Sequence, residues 1–182
     1  MVSEFRKKKL LHVFYFFDSD KSGEIEKKDF EFTLERIAKA RGWSTGDAKY
    51  KSAESIFMKI WDEIQSSADA DKDGKVSQDE WLSMWDSYAK NPSAAAEWQK
   101  LYCKFIFDTS DASDDGAIDS EEFSTVCASF GLPKEGAVAA FEKMAKGKTT
   151  VSWEEYQELW KEYFASEDVN APGNYIFGRT SS

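Results

Sequence analysis

Apolar side chains recur at helical spacing along most of the chain, in segments about one helix long, and short acidic stretches interrupt them. A run from Leu10 to Phe17 forms the first segment. Phe30, Leu34, Ile37 and Ala38 return at the three-to-four-residue interval of one helix face and stop near Gly42. After the linker RGWSTGD, a longer pattern carries Ile56, Ile60, Trp61 and Ile64, and a further one carries Trp81, Leu82, Trp85 and Tyr88. Asn91-Pro92-Ser93 reads as a break and a new cap. Beyond it lie Trp98, Leu101, Tyr102, Phe105 and Ile106, then Phe123, Val126 and Phe130 ended by Gly131-Leu132-Pro133. Trp153, Tyr156, Leu159, Trp160 and Tyr163 form the last segment. The pattern predicts an all-α chain, with residues 1–91 and 92–182 as its two halves.

The interruptions carry the chemistry. DADKDGKVSQDE, from Asp69 to Glu80, resembles the EF-hand loop at each of its twelve positions. Asp69, Asp71 and Asp73 stand at positions 1, 3 and 5, and Gly74 at position 6 allows the sharp turn. Lys75 offers its backbone carbonyl at position 7, Ser77 can hold a water at position 9, and Glu80 can close bidentately at position 12. A hard cation takes six to eight oxygens at about 2.3–2.6 Å. A short loop supplies them only if alternate side chains point inward and one long carboxylate reaches back from the exiting helix.

Two more stretches follow this spacing. In residues 18–29, Asp18, Asp20 and Ser22 fill positions 1, 3 and 5, Gly23 the turn, Glu24 the carbonyl position and Glu26 position 9. Position 12 is Asp29, one methylene shorter than Glu, which either draws the exiting helix inward or coordinates through one oxygen. Fewer oxygens favour the octahedral magnesium ion, so a mixed magnesium/calcium site is expected there. In residues 111–122, Asp111, Ser113 and Asp115 are followed by Gly116, the Ala117 carbonyl, Asp119 and Glu122. Asp108 and Asp114 lie outside the ligand positions and only raise the local field. A fourth unit shows only its frame: with Val151 at position 8, the loop spans 144–155, and Lys146 and Lys148 occupy positions 3 and 5. Two ammonium groups there repel a divalent ion, so this unit is expected to be structural. Paired loops of this kind join through position 8, which predicts Ile25 against Val76 and Ile118 against Val151. Three calcium ions per chain are expected.

Composition narrows the function classes. The formal net charge of −10 over 182 residues speaks against nucleic acid or anionic membrane as a partner and for cations. Two cysteines, Cys103 and Cys127, are too few for a disulfide framework and show no zinc spacing. Arg6–Lys9 before Leu10–Phe17 superficially resembles a signal peptide, but the apolar run is short and lacks a cleavage site. Val2 excludes the myristoylation motif, and no membrane anchor is expected. The single histidine, His12, has no second histidine or thiol nearby, so neither a catalytic set nor a metal role is expected of it. Gly147-Lys148-Thr149 looks like the end of a phosphate-binding loop, yet Glu142 stands where that loop needs glycine. A cytoplasmic, monomeric, non-enzymatic protein is the expectation.

The combination of three intact loops, a ruined fourth, Asp at position 12 of the first, a Trp-rich core and the ending Asn174–Gly178 resembles the sarcoplasmic calcium-binding proteins. Within them the chain looks most like the calexcitins. That resemblance implies a fold of four EF-hands in two pairs, and a calexcitin-like sensor or modulator in calcium signalling; the alternative is a calcium buffer of the sarcoplasmic type. Any protein target is left unnamed by the sequence. Sensors expose Met-rich grooves, whereas this chain has 4 methionines and fills its helix faces with rigid aromatics. Finally, in the tail 166–182, Ala171-Pro172-Gly173 stops helix formation, and Tyr175, Ile176 and Phe177 are expected to fold back into the groove between the two pairs.

Overall fold

The computed structural model describes residues 2–94, 97–129 and 132–178. Phe130 and Gly131, read above as a helix end, lie outside the described residues. The chain forms helices α1 (Glu4–Phe17), α2 (Lys27–Arg41), α3 (Ala48–Ala68), α4 (Gln78–Lys90), α5 (Glu97–Ser110), α6 (Ser120–Ser129), α7 (Lys134–Met144) and α8 (Trp153–Ala165). Four short strands, β1 (Glu24–Ile25), β2 (Val76–Ser77), β3 (Ala117–Asp119) and β4 (Thr150–Ser152), lie in the acidic loops. Two 3-10 turns complete the chain, Pro92–Ala94 at the predicted break and Pro172–Tyr175 in the tail.

Local signals set the helix ends. Gly42 takes the left-handed conformation at φ 70° and closes α2. Ser77 and Ser152 accept hydrogen bonds from the amides of Glu80 and Glu155, so each exiting helix starts at a fixed position after its strand. Asp18 and Asp69 are the C-caps of α1 and α3, which means that each entering helix ends on the first residue of its loop. The loops pair as the sequence predicts: β1 is antiparallel to β2 with Ile25 opposite Val76, and β3 to β4 with Ile118 opposite Val151. All four of these side chains are fully buried, so each pair of loops is pinned from beneath by apolar contact.

One aromatic core runs through both halves. Phe17 of α1 stacks on Phe30 of α2 at 4.8 Å and also meets Tyr102 of α5 at 5.3 Å. Phe57 of α3 packs on Phe105 of α5 at 4.7 Å, and Trp85 of α4 stacks on Phe164 of α8 at 3.8 Å. Aromatic pairs of this kind add about 0.5–1.5 kcal/mol each beyond their burial. Because the Phe17–Tyr102, Phe57–Phe105 and Trp85–Phe164 contacts cross from the first pair of loops to the second, the two pairs are fused through their interiors. Packing leaves a cavity of only about 30 Å³ between Phe17, Phe57, Phe123 and Phe177.

Two cations of α1, Arg6 and Lys9, are buried. Arg6 donates to the carbonyls of Phe164 (3.2 Å) and Trp85 (3.4 Å) and pairs with Asp86 at 3.3 Å. Lys9, 1% exposed, donates to the Ser166 carbonyl at 3.0 Å and to Asn174 Oδ1 at 2.9 Å. Both ammonium and guanidinium groups therefore sit at the C-terminal end of α8, where free carbonyls and the helix dipole favour positive charge. Burial pulls the Lys9 amine down to about 8, and the nearby Arg6 charge pulls the same way. Tyr163 returns a hydrogen bond from its hydroxyl to the Lys9 carbonyl at 2.6 Å, so α1 and α8 are locked to each other at both main chain and side chain.

The tail closes over this junction. Gly173 presses so close to α8 that a Cβ there would stand 2.3 Å from the Leu159 carbonyl oxygen. Ile176 and Phe177 are buried, and the Phe177 ring meets Tyr163 (4.9 Å), Trp160 (5.8 Å) and Phe164 of α8 and Phe16 of α1. Tyr175 is half-buried. The expected return of Tyr175–Phe177 into the groove is thus what the structure contains. His12 takes part here: its Nε2 faces the Phe177 carbonyl at 3.4 Å and its ring packs edge-on against Phe16. No described helix is long and apolar enough to cross a membrane.

Candidate metal centres

The first three loops share one backbone. Positive φ occurs at position 4, on Lys21, Lys72 and Asp114 (57°, 61° and 56°), and again at position 6, on Gly23, Gly74 and Gly116 (86°, 83° and 84°). Left-handed backbone at position 6 is the reason glycine stands there. Each position-1 aspartate holds that turn in the same way. Asp18 accepts from the amides of Ser22 and Gly23, Asp69 from Asp73 and Gly74, and Asp111 from Asp115 and Gly116, all between 2.9 and 3.2 Å. The loops are therefore preformed by their own amides.

The position-12 carboxylates tie each loop shut. Glu80 accepts from the Ala70 and Ser77 amides, both at 2.9 Å, and Glu122 from the Ser113 amide at 2.9 Å and the Asp119 amide at 3.0 Å. Asp29, despite its shorter arm, spans the equivalent pair of amides as Glu80 does: Ser19 at 3.1 Å and Glu26 at 2.8 Å. To do so it is completely buried. Burial is also what raises its carboxyl above the usual range, against the opposing bond from the Glu26 amide.

Carboxylates converge in two of the loops. Oxygens of Asp18, Asp20 and Asp29 lie within 4.8 Å of one another, as do those of Asp69, Asp71 and Asp73. Two oxygens on opposite sides of a calcium ion are separated by up to about 5 Å, so these groups match the donor set and size of a calcium site. Uncompensated, three like charges at that spacing repel. In the first loop the Ser22 hydroxyl donates to the Glu24 carbonyl at 3.0 Å, bringing positions 5 and 7 together. In the second, the Lys75 amide donates to Asp73 Oδ1 at 2.9 Å. The third loop has the same fold, with Ser113 at position 3, but no such triad among the described residues. Its Asp115 accepts from the Ala117 amide at 2.9 Å, and Asp119 accepts from the Glu122 amide at 2.8 Å.

The fourth loop differs in backbone as well as in side chains. Its positive φ values fall on adjacent residues, Lys146 (54°) and Gly147 (81°), and α7 continues through Met144, the frame's first position. Thr149 stands at the frame's position 6, and the left-handed glycine, Gly147, lies two places before it, so the loop is tighter. Lys148 Nζ lies 3.1 Å from Glu155 Oε1, so an ammonium occupies the carboxylate that closes the other loops.

Lysines also reach the first loop. Lys28 pairs with Asp20 at 2.9 Å and with Glu26 at 3.1 Å, and Lys75 pairs with Glu24 at 2.9 Å and with Glu26 at 3.1 Å. The Lys28 hydrogen bond, with that of Ser22, holds the Asp20 carboxyl down to about 2. These partners have no signature in the sequence, since lysines at positions 11 and 7 of a loop ordinarily face solvent.

Comparison with known proteins agrees with this geometry. The family described as EF hand matches residues 66–85 and 106–127, and the one described as EF-hand domain pair matches residues 1–37. Sarcoplasmic calcium-binding proteins I, III and IV of Branchiostoma lanceolatum are 32% identical over 98% of both chains. Calexcitin-1 of Caenorhabditis elegans is 31% identical over 97% of this chain and 88% of its own. The solved structure of an amphioxus sarcoplasmic calcium-binding protein superposes over the whole of both chains with a TM-score of 0.81 at 28% identity. A shared full-length fold, the preformed acidic loops and this level of identity have one consequence: the chain belongs to the sarcoplasmic calcium-binding protein and calexcitin family of EF-hand calcium-binding proteins.

Proposed function

We propose that the chain binds three calcium ions and serves as a cytoplasmic calcium buffer. The first ion would be held by Asp18, Asp20, Ser22, the Glu24 carbonyl and Asp29. Asp69, Asp71, Asp73, the Lys75 carbonyl and Glu80 would hold the second, and Asp111, Ser113, Asp115, the Ala117 carbonyl and Glu122 the third. The two loop pairs, in residues 1–91 and 92–182, would act as one body because their cores are shared. Calcium supplies only charge here; the chain's part is to present oxygens on preformed loops.

The observation that carries the buffer reading is the covered groove. Ile176 and Phe177 fill the surface that a sensor would offer a target, and among the described residues only Tyr15, Phe32 and Val169 are large exposed apolar side chains. Exposed apolar side chains this few among the described residues fit a monomer. The signalling reading is supported by the likeness to calexcitin-1, and one experiment separates the two. Adding calcium to the metal-free protein in the presence of a hydrophobic dye should give no gain in dye binding over the cytosolic range. A calcium-dependent rise would support the sensor instead.

Magnesium selectivity is proposed to reside at Asp29. The side chain already spans the loop with no room to spare, so a calcium ion there gains fewer carboxylate oxygens than at Glu80. Asp29→Glu should raise the calcium preference of that loop alone in a magnesium competition titration. An unchanged magnesium effect would remove position 12 as its cause.

A further inference from the structure

The first loop carries what the second and third do not among the described residues, namely ammonium groups seated on acids at ion-facing positions; in the third loop Lys49 and Lys134 reach only Asp114 and Glu121, at positions 4 and 11. Lys28 Nζ sits on Asp20 Oδ2 and Glu26 Oε2, and Lys75 Nζ on Glu24 Oε2 and Glu26 Oε1. Both oxygens of Glu26 are thereby taken, as is the Asp20 oxygen that does not bond the Ser22 amide. These acids stand at positions 9 and 3, where a bound ion would draw on them. Among the described residues no ion pair reaches a candidate ligand of the second or third loop. Lys28 is delivered by the first turn of α2, and Lys75 by the neighbouring loop, one residue before the strand that pairs Val76 with Ile25.

The geometry points to Lys28 and Lys75 as affinity-setting residues of the first loop: tethered cations that hold Asp20 and Glu26 until a divalent ion displaces them. Resting as it does on the reading of that loop as an ion site, this inference deepens it. An ion entering the loop must break contacts with Lys28 before it gains the Asp20 oxygen, so its net gain is smaller than in the second loop, whose acids have no such partner. The pairs are half-exposed, at 50% and 35% for Lys28 and Asp20, which keeps the competition modest and dependent on salt. Lys75 adds a link between sites. Its carbonyl belongs to the second loop's candidate ligand set while its ammonium rests on the first loop, so filling the second loop fixes the backbone from which that ammonium reaches.

The test follows the Gly23, Gly74 and Gly116 amides by NMR in the full chain, since each bonds the position-1 aspartate of one loop and reports that loop alone. Calcium is titrated into the unmodified protein and into Lys28→Gln, Lys75→Gln and Lys27→Gln. The last makes the same change in net charge at a side chain with no ion pair among the described residues. Lys28→Gln should tighten binding at Gly23 by about three- to tenfold, less in high salt, with Gly116 unmoved and Lys27→Gln changing affinity by less than about twofold. Lys75→Gln should act in the same direction. Equal effects of Lys28→Gln and Lys27→Gln, or weaker binding in Lys28→Gln, would overturn the inference while leaving the site intact. A Gly23 amide in the unmodified protein that responds to neither calcium nor magnesium would overturn the site itself, and the inference with it.

Discussion

Chelating calcium should lower the melting temperature by about 25–50 °C, measured by scanning calorimetry in saturating calcium and again in excess chelator. The size follows from linkage. A ligand present at about a thousandfold over its dissociation constant stabilises the folded state by about 4 kcal/mol per site. In a chain of this size about 1 kcal/mol moves the midpoint by 2–4 °C, so three sites account for the range. The structural cause is the convergence of carboxylates. Asp18, Asp20 and Asp29, and likewise Asp69, Asp71 and Asp73, are held within 4.8 Å by amide hydrogen bonds, and without an ion their repulsion works against the fold. Glu122→Gln should reduce the calcium-dependent part of the shift by roughly a third. A shift of only a few degrees would mean that the loops contribute little to stability.

Removing residues 174–182 should lower the melting temperature of the calcium-bound form by about 10–20 °C and open the core to a hydrophobic dye. Burying Ile176 and Phe177 is worth about 1.5–3 kcal/mol each. Losing Asn174 also takes from Lys9 the acceptor at 2.9 Å, leaving a buried amine with fewer partners. Phe177→Ala alone should reproduce most of the loss, about 3–5 kcal/mol, because its ring touches three aromatic side chains of α8 and Phe16 of α1. An unchanged midpoint in both variants would show that the tail's contacts add nothing.

The sequence carries the loops openly because ion coordination needs particular side chains at particular spacings, and those are local. Gly23, Gly74 and Gly116 stand where the backbone turns left-handed, and the pairing of Ile25 with Val76 and Ile118 with Val151 follows from the frame alone. Tyr175–Phe177 was legible for a different reason, since large apolar side chains after a helix stop need cover. What stayed hidden depends on distant partners. The burial of Arg6 and Lys9 is one such feature, since their acceptors are carbonyls more than 150 residues away at the end of α8, a place that no local pattern marks. The tighter turn at Lys146-Gly147 was missed because the frame fixes only Val151, and one helical residue more at Met144 shifts everything between. The fusion of the two halves through Phe17, Tyr102, Trp85 and Phe164 was hidden likewise, because periodicity shows that a helix face is apolar and not which helix it meets.

Calcium stoichiometry tests the central claim most directly. Native mass spectrometry of the metal-free chain, titrated to saturation with calcium in the presence of physiological magnesium, should show a dominant species carrying three bound divalent ions. Glu80→Gln and Glu122→Gln should each remove one of them, and Lys148→Gln should add none, because the fourth loop lacks the backbone of the other three. Four ions on the unmodified chain would show that the tight turn at Lys146-Gly147 binds after all. Two would show that the third loop, with serine at position 3 and no carboxylate triad among the described residues, does not.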